Sequence, residues 1–191
     1  MTERSDAAAD EMVKAFEQQY EAELPPRGAT VERVTGRVVP VDETGKVLLM
    51  RGCEPAAPHV RFWFTIGGGL EPGETARQAA QRELAEEAGI RVAEDRLGDP
   101  VHEWVNEFTF AHRKVRQQEV VFAVAVRSSV TVTSAGWDAG EVLTTEQIAW
   151  VDPAVTDLAA QASGPAALAA QVRSALRSVR DPSRSDPPTT R

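Results

Sequence analysis

The order of helical and extended segments predicts an α/β or α+β sandwich built on a mixed sheet. Two patterns carry the prediction. Apolar residues recur at helical spacing near both ends of the chain and once in the middle. Between these stretches lie short runs rich in Val, Phe, Trp and Thr that read as strands. A third observation sets the scale. The chain has 191 residues, 42% hydrophobic and 26% charged, which suits one domain with a full core and is too short for two large ones.

Residues 5–24 read as the first helix, capped by Ser5 or Asp6, with Met12, Val13, Phe16, Tyr20 and Leu24 on one face. "PPRG" at 25–28 ends it. Residues 1–28 are therefore expected to form a helical appendage, packed on the domain or on a partner chain. Residues 31–41 and 46–50 flank the turn "DETG" and make a hairpin. Residues 61–66 are a third strand. A glycine-rich loop and a helix over 74–88 follow. Residues 101–110 and 118–126 form a second hairpin across "AHRKVRQ". "VTVT" at 130–133 reads as an edge strand and "IAWV" at 148–151 as one more. Residues 165–179 are the last helix. The domain is expected to span 29–180, and the polar, Pro-rich tail 181–191 is expected to be disordered.

A net charge of -8 argues against a broad nucleic-acid surface. Cys53 is the single cysteine, so no intrachain disulfide and no cysteine-based zinc site is expected, which suits a reducing cytoplasm. No apolar run approaches membrane-spanning length, and the first residues lack the apolar stretch of a signal peptide. His59, His102 and His112 are scattered without ligand spacing.

The informative segment is "GGLEPGETARQAAQRELAEEAGI", residues 68–90. An ordinary surface helix would group its glutamates with its other polar residues. Winding at about 100° per residue puts Glu87 at about +40° and Glu86 at about -60° from Glu83. Ala76, Ala79, Ala80 and Leu84 lie among them, while Gln78, Gln81 and Ala85 lie opposite. The three carboxylates are thus expected on the apolar half, where they repel one another and are costly unless compensated. A divalent cation is the economical compensation, and oxygen-only ligands favour Mg²⁺ or Mn²⁺ over zinc. The preceding glycines can bend the chain sharply and bring its backbone close to a ligand.

Gly68, Glu74, Arg82, Glu83, Leu84, Glu86, Glu87, Gly89 and Ile90 fit the pattern G-x5-E-x7-R-E-U-x-E-E-x-G-U, with U aliphatic. This stretch resembles the signature box of the Nudix hydrolases, the MutT-like family. The resemblance covers roughly residues 30–155. It implies an α/β/α sandwich and Mg²⁺-dependent cleavage of a nucleoside diphosphate linked to another group, releasing a nucleoside monophosphate or a phosphate product. It matches Glu83, Glu86 and Glu87 to metal-binding carboxylates and Gly67 to a carbonyl metal ligand. Glu74 and Arg82 match a pair that braces the box. Glu87, Glu86, Glu146 or Glu119 would take the proton of the attacking water, with Glu146 favoured over Glu119 outside the box. A homodimer is admitted by the same resemblance, with the first helix as a candidate contact.

Substrate contacts are less sharply marked. His102, Trp104, Asn106, Phe108 and Phe110 share one strand face. Trp104 and Asn106 are the candidates for reading a base, with Trp63, Trp137 and Trp150 as alternatives. Arg51 and Arg61 are the candidates for phosphate. Arg113, Lys114 and Arg116 read as a solvated hairpin tip. Pro100 is too early for the proline that ADP-ribose hydrolases of the family often carry, the only tyrosine, Tyr20, is far from the one that dinucleoside polyphosphate hydrolases often carry, and Ile66 stands where a proline often precedes the box glycines. That leans toward a nucleoside triphosphate or another small nucleoside diphosphate derivative. Two other classes compete: a non-catalytic nucleotide-binding module on the same fold, and an isopentenyl diphosphate isomerase, which would need Cys53 as a reactive thiol.

Overall fold

The computed structural model describes residues 2–20, 24–158 and 168–181. Its elements in chain order are α1 (Thr2–Gln19), β1 (Thr30–Val41), β2 (Val47–Glu54), β3 (Ala57–Phe64), β4 (Ile66–Gly69) and α2 (Ala76–Ala88). They continue with β5 (His102–Phe110), β6 (Arg113–Ala125), α3 (Ala139–Thr144), β7 (Thr145–Val151) and α4 (Leu168–Arg180). A single 3-10 turn, Glu94–Leu97, follows α2. The predicted tail lies outside the described residues apart from Asp181.

One mixed sheet organises the chain. Its order is β3-β2-β1-β6-β5, with β4 paired to β1 and β7 paired to β2. The β1–β6 pair is parallel and the others are antiparallel. The β1–β2 turn is held by Asp42, whose carboxylate accepts from Thr44 N, Thr44 Oγ1 and Lys46 N. Helices cover both faces. On one, Val38, Leu48, Met50 and Phe122 pack against Ala80, Leu84 and Ala88 of α2. On the other, Val39, Leu49 and Val121 pack against Leu168, Val172 and Ala175 of α4. This is the α/β/α sandwich expected.

The differences from the expected elements have local causes. The apolar run 61–66 breaks at Thr65, and its second part, β4, pairs with β1 instead of β2. β6 begins at Arg113, so the hairpin tip shrinks to Ala111 and His112, both at positive φ. Residues 130–133 form no strand; Thr133 N donates instead to Ala88 O at the end of α2. α3 replaces what was expected to be coil. Helix α1 begins before Ser5 and stops at Gln19, and its apolar residues Val13 and Phe16 are buried against its own domain.

Candidate active site

Helix α2 is set by its two ends. Thr75 caps the start, accepting from Gln78 N at 3.2 Å, while Gln78 returns a bond from Thr75 N at 3.0 Å. Gly89 ends it in the left-handed conformation at φ 70°, which glycine adopts without strain. Between the caps, Glu83 and Glu87 face the sheet.

Arg82 ties the loop to the helix. It donates to Glu74 at 3.0 and 3.1 Å, to Gly69 O at 2.9 Å, to Glu83 at 2.8 Å and to Glu86 at 3.0 Å. The Arg82 bond holds Glu74 below the usual carboxylate range. Gly67, at φ 134°, presents its N–H to Glu87 Oε2 at 2.7 Å. A side chain at Gly67 would run into the backbone of Gly36 and Arg37.

Glu83 and Glu87 are 9% and 5% exposed. Glu86 is not inward as expected: its side chain is 51% exposed. The inward direction bisects Glu83 and Glu87, which leaves Glu86 on the rim beside Arg82. The third member of the group is the half-buried Glu141, on α3. Carboxylate oxygens of Glu83, Glu87 and Glu141 all lie within 4.8 Å of one another. Burial pushes Glu83 up despite Arg82. Burial, then the Glu83 charge, pushes Glu87 well above the usual range, against the pull of the Gly67 N–H. Burial also raises Glu141, which shares a hydrogen bond with Glu87. Three crowded carboxylates, each costly to ionise, make a hard oxygen donor set suited to a divalent cation.

Glu141 was not singled out from the sequence, although a signal was present. "DAGE" at 138–141 is a capping box: Glu141 N donates to Asp138 Oδ1 and Asp138 N donates to Glu141 Oε2, both at 2.7 Å. Trp137 anchors the loop before it by donating to Glu87 O at 2.8 Å.

The structure places the other named residues as follows. Glu146 sits on β7 with its side chain outward, 3.3 Å from Arg61 and 3.8 Å from Arg51. Strand alternation explains this, because its neighbour Thr145 is the buried residue. Arg51 and Arg61 share that outer patch and do not line the cavity. Glu119 is buried at the cavity wall, accepting from Trp104 at 3.0 Å, Gln171 at 2.9 Å, Gln117 at 2.8 Å and Asn106 at 3.2 Å. Burial would raise its pKa, but Arg37 and these donors outweigh it and hold Glu119 ionised. Trp104 thus serves Glu119 and is not part of the lining, whereas Asn106 reaches the cavity. Arg113 is not a solvated tip residue: it is 6% exposed and pairs with Glu17 of α1 at 3.0 Å. Cys53 is buried, and its desolvation pushes the thiol up, away from a reactive thiolate.

Glu83, Glu87, Glu141, Glu119 and Asn106 border one cavity of about 850 Å³, within the usual range for small-ligand sites. The three clustered carboxylates are part of its lining. Phe62, Phe64, Phe108 and Phe110 form apolar wall, and Arg33 and Arg37 add positive charge. Phe16, Tyr20 and Leu24 of the N-terminal segment also line it.

A family model described as the NUDIX domain matches residues 31–171. The chain is similar in fold to the E. coli dihydroneopterin triphosphate pyrophosphohydrolase, at 23% identity over 78% of this chain and 99% of that one, with a TM-score of 0.56. It is similar to the MutT protein of Methanosarcina mazei Go1, at 20% identity over 82% and 100% of the two chains, with a TM-score of 0.53. It is also similar to a bifunctional NMN adenylyltransferase/ADP ribose pyrophosphatase from Francisella tularensis, at 18% identity over 91% of this chain and 47% of that one, with a TM-score of 0.53. A curated relative, an octanoyltransferase of Myxococcus xanthus, is 36% identical over 93 residues, 48% of this chain. The chain spans only 24% of that relative's length, and the relative's name describes that longer protein.

The chain belongs to the Nudix domain family. Among the described residues, no helix is long and apolar enough to cross a membrane.

Proposed function

We propose that this protein hydrolyses the pyrophosphate linkage of a small nucleoside diphosphate derivative, with Mg²⁺ as its cation and Mn²⁺ as a substitute. The observation that carries the reading is the convergence of Glu83, Glu87 and Glu141 within 4.8 Å on the lining of a cavity large enough for a nucleotide. Those three would hold the cation, with the Gly67 carbonyl as a further donor. Glu86, on the rim, is a weaker candidate than Glu87. When bound, the cation neutralises pyrophosphate oxygens and so favours attack by water.

The chain's own groups supply the rest. Arg82 fixes the loop and leaves Glu87 aligned by the Gly67 N–H. The coupled Glu87–Glu141 pair is the best-placed acceptor for the proton of the attacking water. Glu119 is poorly suited, because four donors already occupy its oxygens. Glu146 is unsuited because arginines engage it outside the cavity. Arg33 and Arg37 provide charge for phosphate, and Asn106 with the phenylalanine wall provides for a base. The catalytic unit is 29–180, acting in a reducing cytoplasm, with 1–28 appended to it.

The test is a product screen. Purified protein is incubated with Mg²⁺ and nucleoside triphosphates, dihydroneopterin triphosphate, ADP-ribose, nucleotide sugars and dinucleoside polyphosphates, and products are separated by ion exchange. A monophosphate or pyrophosphate product that disappears with EDTA and with Glu87→Gln supports the reading. Ligand retention without turnover across the panel would instead favour a binding module.

A further inference from the structure

We propose that Tyr20, on the segment that follows α1, is a positioning residue for Glu141, so that the N-terminal segment is part of the metal site. The proposal rests on the reading of Glu83, Glu87 and Glu141 as the cation-binding group.

Helix α3 has six residues, Ala139–Thr144, too few to hold its shape alone. Its position therefore depends on what grips it. Trp137 grips it from the α2 side. Tyr20 grips it from the other side in two ways. Its hydroxyl lies 2.8 and 2.7 Å from the two carboxylate oxygens of Asp138 and donates to them as a forked bond. Its ring lies against Gly140, where any side chain would overlap the ring and hydroxyl.

Asp138 is the cap of α3, and the same Oδ1 that accepts from the Tyr20 hydroxyl also accepts from Glu141 N. The Asp138 N–H in turn holds Glu141 Oε2. A rigid two-bond relay therefore links the Tyr20 hydroxyl to the Glu141 carboxylate. Tyr20 is itself held. Its ring meets Phe16 with centroids 4.9 Å apart, and Phe16 meets Phe110 of β5 edge-on at 5.3 Å. Glu17 fastens α1 to Arg113 at 3.0 Å and to Arg27 at 2.8 Å. Tyr20 lies outside residues 31–171, so this support is added to the family domain from outside it.

The experiment measures Mn²⁺ binding to the full chain without substrate, by electron paramagnetic resonance, alongside steady-state hydrolysis. Tyr20→Phe keeps the ring on Gly140 and removes only the hydroxyl. Loss of such a supporting group is expected to weaken Mn²⁺ binding by about tenfold. Glu141→Gln is expected to weaken it at least as much. The double variant Tyr20→Phe/Glu141→Gln should bind like Glu141→Gln alone, because both act through one carboxylate. A purely structural Tyr20 would instead lower the melting temperature and leave metal affinity intact. Wild-type Mn²⁺ affinity in Tyr20→Phe overturns the proposal, as does full additivity in the double variant. If Glu87→Gln also binds Mn²⁺ like wild type, the metal reading beneath it falls as well. If Glu87→Gln loses the metal while Tyr20→Phe keeps it, only the Tyr20 proposal falls.

Discussion

Gly36→Ala is a one-methyl change remote in sequence from the box, and it should disable the box. Helix α2 crosses β1 at Gly36. A Cβ there would stand 2.8 Å from the Ala76 carbonyl carbon and 2.8 Å from the Ala80 nitrogen, and closer still to the Ala76 oxygen. Restoring an ordinary 3.4 Å contact to the two more distant atoms takes about 0.6 Å of retreat. The oxygen demands about two and a half times that. All these atoms are backbone, so the helix moves as a unit and carries Glu83 and Glu87 with it, away from Gly67 and Glu141. Overpacking of this kind costs about 1–3 kcal/mol. For a domain of this size that is a melting-temperature loss of roughly 3–10 °C. A displacement near 1 Å costs about 100-fold in rate. Thermal unfolding, Mn²⁺ titration and kcat of the variant test all three consequences. A protein with unchanged kcat and metal affinity would refute the claim that the closeness of α2 to β1 sets the site.

Glu87→Gln keeps the Gly67 hydrogen bond but removes the carboxylate proposed to hold the cation and accept the water's proton, so kcat should fall by about 100-fold or more. In EDTA the same variant should melt no lower than the parent, and Glu86→Gln should cost less activity than Glu87→Gln. Saturating Mg²⁺ should stabilise the wild type, by about 2.7 kcal/mol at 100 times its Kd, and calorimetry should show this gain lost in Glu83→Gln/Glu87→Gln. Glu17 gives a pH signature. Its bond to Arg27, joined by Arg113 and opposed by burial, lowers its pKa from 4.5 to about 2. A carboxylate depressed on folding stabilises above its unfolded value, and that contribution fades as pH falls from 4.5 toward 2. The melting-temperature gap between wild type and Glu17→Gln should therefore be full near neutral pH and close over that interval.

The box helix was legible because fixed residue types at fixed spacing leave few alternatives, and its flanking strands were legible from β-branched and aromatic runs. What escaped had weaker local signals. α3 is too short to show a period, so Asp138 and Glu141 offered only a cap. The start of β6 was hidden because Arg113 and Gln117 are polar yet buried, which breaks the alternation a strand normally shows. Arg113 is buried against Glu17 of α1, a tertiary contact that no local pattern encodes. "VTVT" has the composition of a strand, but Thr133 N is taken by Ala88 O at the end of α2 instead of by a neighbouring strand, and β-propensity acts only through neighbours. Glu146 and Glu141 are both glutamates near the end of the domain. Only the phase of β7 and the placement of α3 distinguish them.

The parallel pairing of β1 with β6 has a consequence for how the molecule is made. Thr30 pairs with Lys114 and Val41 with Ala125, so β1 must wait while the whole intervening chain is synthesised. Such distant pairing carries a large loop-closure cost and slows folding. Until β6 emerges from the ribosome, β1 exposes a twelve-residue edge open to strands of other nascent chains. Asp138 and Glu141 emerge later still. The last pieces synthesised before β7 are those that complete the carboxylate cluster, so a chain stalled after β6 would carry the whole Nudix box but lack Glu141, the third member of the cluster.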